Sequence, residues 1–511
     1  MQIALAERYG RGTPPLFAAL ALVAHLPVLA RYGWFRDELY YVACSKHLAW
    51  GYVDHPPLSI GLLALWRFLL GDALAVMRLV PALAHALTVL VVGRITRDLG
   101  GGRFAQALAC LAAVLAPGLL GTCSVYSMNA LDLLLWTLAL WAFVRAVGGQ
   151  GPAAWMALGL VLGLGLLDKI SVLWLGTGLF VGLLATRQRR WLATPWPWLA
   201  GLLALAVFTP HLAWQVDHGW PTLEFMRNAT LHKMVRTSPA AFLGMQSLMI
   251  GPMGAVTGLA GLAWCLFGRR GREWRVLAVA WLVVPAILLA SPAARAGYLI
   301  ASYGLLFATG GVALERLSHD SARRWARPVL LALMVLLQLP LVPFALPVLP
   351  VQGFIAYSRA LGARPPGEER TRPAELPQQY ADMFGWEEMA DRVGRVYRGL
   401  PEAERAKCGV LAGNYGEAGA LDRFGAKYGL PPALSGHNNY WLWGPRGATG
   451  EVMIVLGVRR ADLEQGFASV TLADSVRCEH CMPYERGLPV WICRGLRDPL
   501  PVAWARTKMY I

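Results

Sequence analysis

The feature that most limits how this chain can fold is a succession of long apolar runs separated by short, arginine-rich loops. A helix needs about 20 mostly apolar residues to cross the hydrocarbon of a bilayer, and it must satisfy its backbone polar groups within itself. Runs of this kind lie at 14–30, 74–95, 104–121, 131–147, 153–167, 170–186, 196–212, 241–267, 276–291, 297–314 and 327–349. The apolar piece 58–70 is too short to cross and follows Pro56-Pro57, so it reads as a helix lying at the surface. Only 15% of the 511 residues are charged, against about 25% in soluble proteins. The expected fold class is a polytopic α-helical membrane protein with about 11 transmembrane helices.

The net charge of +16 does not point to nucleic acid, because the arginines sit in the short loops between runs. Arg8 and Arg11 precede the first run, and Arg94, Arg97 and Arg103 separate the second and third. Arg187, Arg189 and Arg190 follow the sixth, Arg269, Arg270, Arg272 and Arg275 the eighth, and Arg316, Arg323, Arg324 and Arg327 the tenth. With eleven spans all these clusters fall on one side, which the positive-inside rule makes the cytoplasm. The N-terminus is then cytoplasmic, and the loops 31–57, 122–130 and 213–240 face outward with everything after Leu349. The first run has no small-residue cleavage site before the acidic residues that follow, so it reads as a retained span. The expected location is a bacterial inner membrane, with the C-terminal part in the periplasm.

The chain thus divides into a membrane domain, 1–349, and a periplasmic α/β domain, 350–511. The second has turn-rich stretches such as Ala363-Arg364-Pro365-Pro366-Gly367, an amphipathic helix from Glu387 to Leu400, and strands at Glu451–Val458 and Ala468–Leu472. Cys110 and Cys265 lie inside spans and read as small apolar packers. Cys478-Glu479-His480-Cys481 has the spacing of a zinc half-site without a second half. A disulfide from Cys493 to Cys478 or Cys481 is the favoured reading in an oxidising compartment.

Ionisable groups beside a bilayer are costly unless they have partners or a task, and here they gather on the outward loops. Asp37 and Glu38 follow the first run, and Asp54 and His55 close the same loop. Asp132 begins the fourth run after Tyr126-Ser127-Met128-Asn129, and Asp168-Lys169 ends the fifth. His218, Glu224, His232 and Lys233 share a later loop, and Arg295 and Tyr298 flank the start of the tenth run. Acids of this kind can take a proton from a nucleophile, and cations can hold an anionic leaving group. Ordinary roles compete with these. Asp37 can pair with Arg36, Glu38 can cap its helix, Asp132 can cap the fourth span, Lys169 can snorkel to headgroups, and His232 can be a plain loop histidine.

In combination, Asp37-Glu38, Asp54-His55-Pro56-Pro57, Met128 four residues before Asp132, and Leu167-Asp168-Lys169 resemble glycosyltransferase family 39. That family includes the protein O-mannosyltransferases and the aminoarabinose transferases of lipid A. The resemblance covers about residues 15–310. It implies the GT-C membrane fold, a polyprenyl-phosphate sugar as donor, and inverting transfer to a lipid, glycan or protein acceptor. It also implies Asp37 as general base with Glu38 beside it, and Asp54, His55, Asp132 and Lys169 around the substrates; Arg295 and Tyr298, on the same outward side, are further candidate substrate contacts. A divalent metal ion held by Asp54 and His232 belongs to the same implication. His55 stands where the aminoarabinose transferases have lysine, which departs from their phosphate contact. The segments Gly413–Gly419 and Ser435–Trp443 are similar to a bacterial subgroup. A transporter or flippase of lipid-linked sugars is the alternative, though transporters place ionisable groups near the midplane on broken helices of repeated halves.

Overall fold

Each of the eleven apolar runs carries helix in the computed structural model, which describes residues 12–291, 294–363, 372 and 374–511. The expectations for Arg8, Arg11 and residues 364–367 lie outside these described residues. Among the described residues five helices are long and apolar enough to cross a membrane alone: Leu74–Asp98, Met128–Val147, Trp196–Asp217, Ala296–Leu317 and Ser321–Ala345. Thr13–Val28, Arg103–Leu115, Pro152–Asp168 and Val172–Ala185 are shorter apolar helices, as is Leu58–Leu70.

One run departs from the expected straight span. Residues 241–267 form two helices, Pro239–Ile250 and Pro252–Phe267, which meet at 108°. Gly251 sits between them at φ +71, a backbone region that suits glycine, and Pro252 cannot donate to the preceding turn. The third run is interrupted in the same way before Pro117, where Arg103–Leu115 gives way to Pro117–Thr122.

The chain folds as two compact units. The first comprises the described residues up to Ala30 together with those of Ala75–Ala213 and Arg236–Leu349. Its outward side chains are apolar, with Leu202 62%, Leu259 66% and Leu336 66% exposed, as helices facing lipid require. Its helices approach closely through glycines, the usual means of association where lipid removes the hydrophobic drive. Val172–Ala185 packs against Arg275–Leu289 in this way. A Cβ on Gly178 would lie 2.5 Å from the Ala280 carbonyl oxygen, and one on Gly182 2.7 Å from that of Val276.

The second unit joins Pro350–Ile511 to two segments from between the apolar runs, Arg31–Leu74 and Trp214–Val235, so its boundaries differ from a single cut after residue 349. Its centre is a five-stranded sheet: β1 (Cys408–Leu411), β2 (Ala433–Leu434), β3 (Val452–Leu456), β4 (Phe467–Ser475) and β5 (Pro489–Leu496), in the order β2-β1-β3-β5-β4. β1 runs parallel to β2 and β3, while β5 runs antiparallel to β3 and β4. Val452-Met453-Ile454-Val455-Leu456 is buried throughout, as expected of a central strand covered on both faces. The helix Tyr415–Phe424 forms the crossover between β1 and β2, since parallel neighbours need such a connection. Trp386–Gly399 packs on that helix, close to the expected amphipathic segment.

The cysteine pairing differs from the expectation. Cys478 bonds to Cys481, while Cys493 is fully buried inside β5 in a core with Met453, Phe467 and Trp491. Opposite Met453 in the ladder, its thiol belongs to the sheet interior, away from the loop that carries the other two.

Two buried acids, Glu417 and Glu485, share Asn414: its side-chain N–H donates to Glu417 Oε1 at 2.6 Å and reaches Glu485 Oε1 at 3.3 Å. Burial and then the charge of Glu485 push Glu417 well above the usual carboxylate range. Burial and then Asp382 push Glu485 up to about 7. The folded state therefore holds more protons than the unfolded chain above about pH 4.5, and stability falls as pH rises toward 7. Glu485→Gln is expected to raise the melting temperature at pH 8 by about 2–4 °C and to leave it nearly unchanged near pH 4.5. Equal shifts at both pH values would refute this. In the first unit, Gly178→Val should destabilise by about 1–3 kcal/mol through overpacking, read as a lower melting temperature of the purified protein.

Candidate active site

The carboxyl ends of the parallel strands are where α/β sheets expose loops for binding and chemistry. Here β1 runs out through Ala412-Gly413 to Asn414, the N-cap of the helix Tyr415–Phe424, whose side chain accepts from the N–H groups of Gly416 and Glu417. β2 runs out through Ser435-Gly436-His437 to Asn438 and Asn439. Asn438 adopts φ +48, which asparagine tolerates better than most residues. The same unit holds the helix Arg36–Cys44, and these two loops meet it.

Asp37 lies in the first turn of that helix and keeps 34% of its side chain exposed. Its Oδ1 accepts a hydrogen bond from the Tyr415 hydroxyl at 2.8 Å, with Arg36 Nε 3.5 Å away. Arg36 is mostly spoken for elsewhere: its guanidinium donates to the Tyr484 hydroxyl at 2.8 Å and lies 3.8 Å from Asp382. Burial opposes the Arg36 charge, but Asp382, Tyr415, Tyr484 and Asp37 more than offset it and hold the guanidinium well above its usual range. Arg36 is thus a buried anchor of the loop, and Asp37 stays at the surface.

Glu38, the other expected catalytic acid, is fully buried. Its Oε2 accepts from the Phe35 backbone N–H at 2.9 Å, the reciprocal half of a capping box. That contact serves the helix terminus.

Asp54 closes the loop with 16% of its side chain exposed. Its Oδ1 accepts from the Tyr40 hydroxyl at 2.8 Å. Burial, then Asp54 itself, push the Tyr40 phenol well above its usual range, so it remains a donor. Asn439 donates to that same hydroxyl, and its Oδ1 accepts from the Val53 N–H at 3.1 Å. The rings of Tyr40 and Tyr415 lie 4.6 Å apart. His55 is 1% exposed, between Tyr41 and Tyr52 with ring centres at 4.8 Å from each, and its Nδ1 lies 3.1 Å from the Pro56 carbonyl. It forms part of the loop's wall. His232 is exposed in the turn Ala229–Lys233. Among the described residues no three His, Cys, Asp or Glu side chains gather to hold a metal ion.

The first unit carries a second polar cluster. Ser127, not Asp132, caps the helix Met128–Val147, accepting from the Asn129 N–H at 3.3 Å. Asp132 sits one turn further in and accepts from Ser171 Oγ at 2.9 and 3.1 Å. Lys169 Nζ lies 3.5 Å from Asp132, donates to Asn129 Oδ1 at 2.7 Å, and stands 5.7 Å from the ring centre of Tyr298. Lys169 is therefore held in an ion pair with 15% of its side chain exposed, rather than snorkelling freely. Asp168 is completely buried, and neither carboxyl oxygen has a hydrogen bond among the described residues. Arg295 is half-buried one turn before Tyr298, whose N–H donates to its carbonyl at 3.1 Å.

Residues 54–214 match the family model described as dolichyl-phosphate-mannose-protein mannosyltransferase. An undecaprenyl phosphate-alpha-4-amino-4-deoxy-L-arabinose arabinosyl transferase 2 of Pseudomonas fluorescens is 27% identical over 194 residues. That match covers 35% of this chain and 35% of the relative, so only about a third of the relative's length is spanned. Among solved structures, ArnT from Cupriavidus metallidurans bound to undecaprenyl phosphate superposes with a TM-score of 0.64 at 15% identity. It covers 93% of this chain and 97% of ArnT. Its apo state gives 0.61 at 16% identity over the same shares. The match to that family is thus carried by residues 54–214, and the chain as a whole has the same fold as ArnT.

Proposed function

We propose that the protein transfers one sugar, a hexose or a pentose, from a polyprenyl-phosphate donor to an acceptor outside the cytoplasm, inverting the anomeric centre. The observation that carries this reading is Asp37, a surface carboxylate with one oxygen hydrogen-bonded, on the first loop of a chain with this fold. In the transfer, Asp37 takes the proton of the acceptor's hydroxyl or amine. The acceptor atom bonds to the sugar's anomeric carbon as the bond from that carbon to phosphate oxygen breaks. The electron pair leaves on the phosphate. Lys169, oriented by Asp132 and Asn129, and Arg295 are assigned to its negative charge, with Tyr298 beside the ammonium.

Asp54 supplies one carboxylate for a divalent cation. The hard cation Mg²⁺ commonly takes one or two protein carboxylates and fills its shell with water and phosphate oxygens, and Asp54 fits that use better than it fits a protein cage. Such an ion would neutralise phosphate charge. Eleven crossings, a cytoplasmic N-terminus and a periplasmic second unit complete the proposal, supported by the arginine clusters on alternate loops.

Asp37→Asn should lower turnover about a hundredfold or more while leaving the fold intact. The measurement is release of free undecaprenyl phosphate by purified, reconstituted protein given synthetic undecaprenyl-phosphate sugars and envelope extract as acceptor. Sugar-lipid that crosses the vesicle without cleavage would overturn the enzymatic reading. Lys169→Met should weaken binding of undecaprenyl phosphate about tenfold, measured by titration against the reconstituted protein; unchanged affinity would remove Lys169 from the phosphate.

A further inference from the structure

We propose that Tyr415 is a positioning residue for Asp37, so that the helix Tyr415–Phe424 at the carboxyl end of β1 sets the reactive oxygen of the base. The inference rests on the reading of Asp37 as the base. Tyr415 lies outside the matched segment 54–214, and 378 residues separate it from Asp37 along the chain.

The geometry is specific. The Tyr415 hydroxyl donates to Asp37 Oδ1 at 2.8 Å, and the structure records no hydrogen bond to Oδ2 among the described residues. One oxygen is thereby engaged, and the carboxylate plane is held with the other available to an acceptor. A free carboxylate on a loop helix would rotate between orientations, and misplacement by about 1 Å can cost a hundredfold in rate.

Tyr415 is itself fixed from three directions. Its ring lies 4.6 Å from Tyr40 and 4.6 Å from His437, its backbone N–H points at His437 Nδ1 at 3.4 Å, and Asn414 caps its helix. The helix also lies tight against Arg36–Cys44. A Cβ on Gly419 would stand 2.9 Å from the Leu39 carbonyl carbon, and one on Gly416 would strike the Arg36 side chain. Small residues on this face allow the approach that brings the hydroxyl into reach. Through Tyr40, whose hydroxyl donates to Asp54, the two packed tyrosines join both loop carboxylates to one support.

Tyr415→Phe keeps the ring and its packing and removes only the hydroxyl. With full-length reconstituted protein, a panel of synthetic undecaprenyl-phosphate sugars and envelope extract, its kcat should fall about tenfold or more while the donor KM stays within about twofold. In an Asp37→Asn background the same change should have no further effect on the residual rate. An unchanged kcat, a loss matched by an equal rise in KM, or a further loss of similar size in the Asp37→Asn background would each overturn the proposal. If Tyr415→Phe does not fold, Gly419→Ala keeps the hydroxyl but displaces the helix. It should lower kcat with donor KM unchanged, and wild-type kcat would overturn the proposal. Wild-type turnover by Asp37→Asn, or none by the native protein, would instead remove the assignment of the base, whatever Tyr415 does.

Discussion

A carboxylate on a loop keeps one orientation only if other polar groups hold it, and for Asp37 and Asp54 the holding is done mainly by tyrosine hydroxyls. Tyr415 donates to Asp37 and Tyr40 donates to Asp54. The two rings are in contact, Asn439 braces Tyr40, and Asn414 caps the helix that begins at Tyr415. A phenol suits this task because its ring anchors in a packed interior while its hydroxyl reaches the polar edge. The arrangement leaves each carboxylate partly exposed. The Arg36 guanidinium lies 3.5 Å from Asp37 but is also paired with Asp382, at 3.8 Å.

The membrane unit handles its charges by a different device. Asp132, Lys169, Asn129 and Ser171 compensate one another through short contacts at the ends of three helices. An ion pair of this kind can open toward an incoming phosphate, since the lysine exchanges one anionic partner for another. Asp168, buried without a hydrogen bond among the described residues, is the exception. Groups of that sort are retained at functional sites more often than in plain structural cores.

How much of this was readable beforehand varied with the distance between the partners. Asp37 stood out as an acid directly after a span, and Asp132 and Lys169 stood out at span ends. Glu38 looked equally acidic, yet its spacing from Phe35 makes it the helix cap, a local pattern that was legible as an alternative. The bend at Gly251-Pro252 was also written locally, but averaging hydropathy over a long run hides a two-residue break. Tyr415 and Asn439 lie in the segments Gly413–Gly419 and Ser435–Trp443, whose local pattern assigns neither residue a partner. Strand β5 has no clear local signal, and the expectation that Cys493 pairs with Cys478 or Cys481 fails because the sheet buries Cys493 in β5 while the other two cysteines pair within their own loop.

Transfer of about 20 apolar side chains into lipid is a sum of local terms, so the apolar runs, the arginine asymmetry and the class of fold follow from the chain alone. Breakers act locally too, and the family resemblance is a pattern of short motifs. Orientation of a carboxylate is another matter. It depends on a hydroxyl 378 residues away, delivered by a crossover helix that glycines allow to lie against the first loop. Only folding brings those atoms within hydrogen-bond range, because the interaction is short-ranged and directional. Which acid is exposed, which is a cap and which tyrosine holds it were therefore decided by tertiary structure.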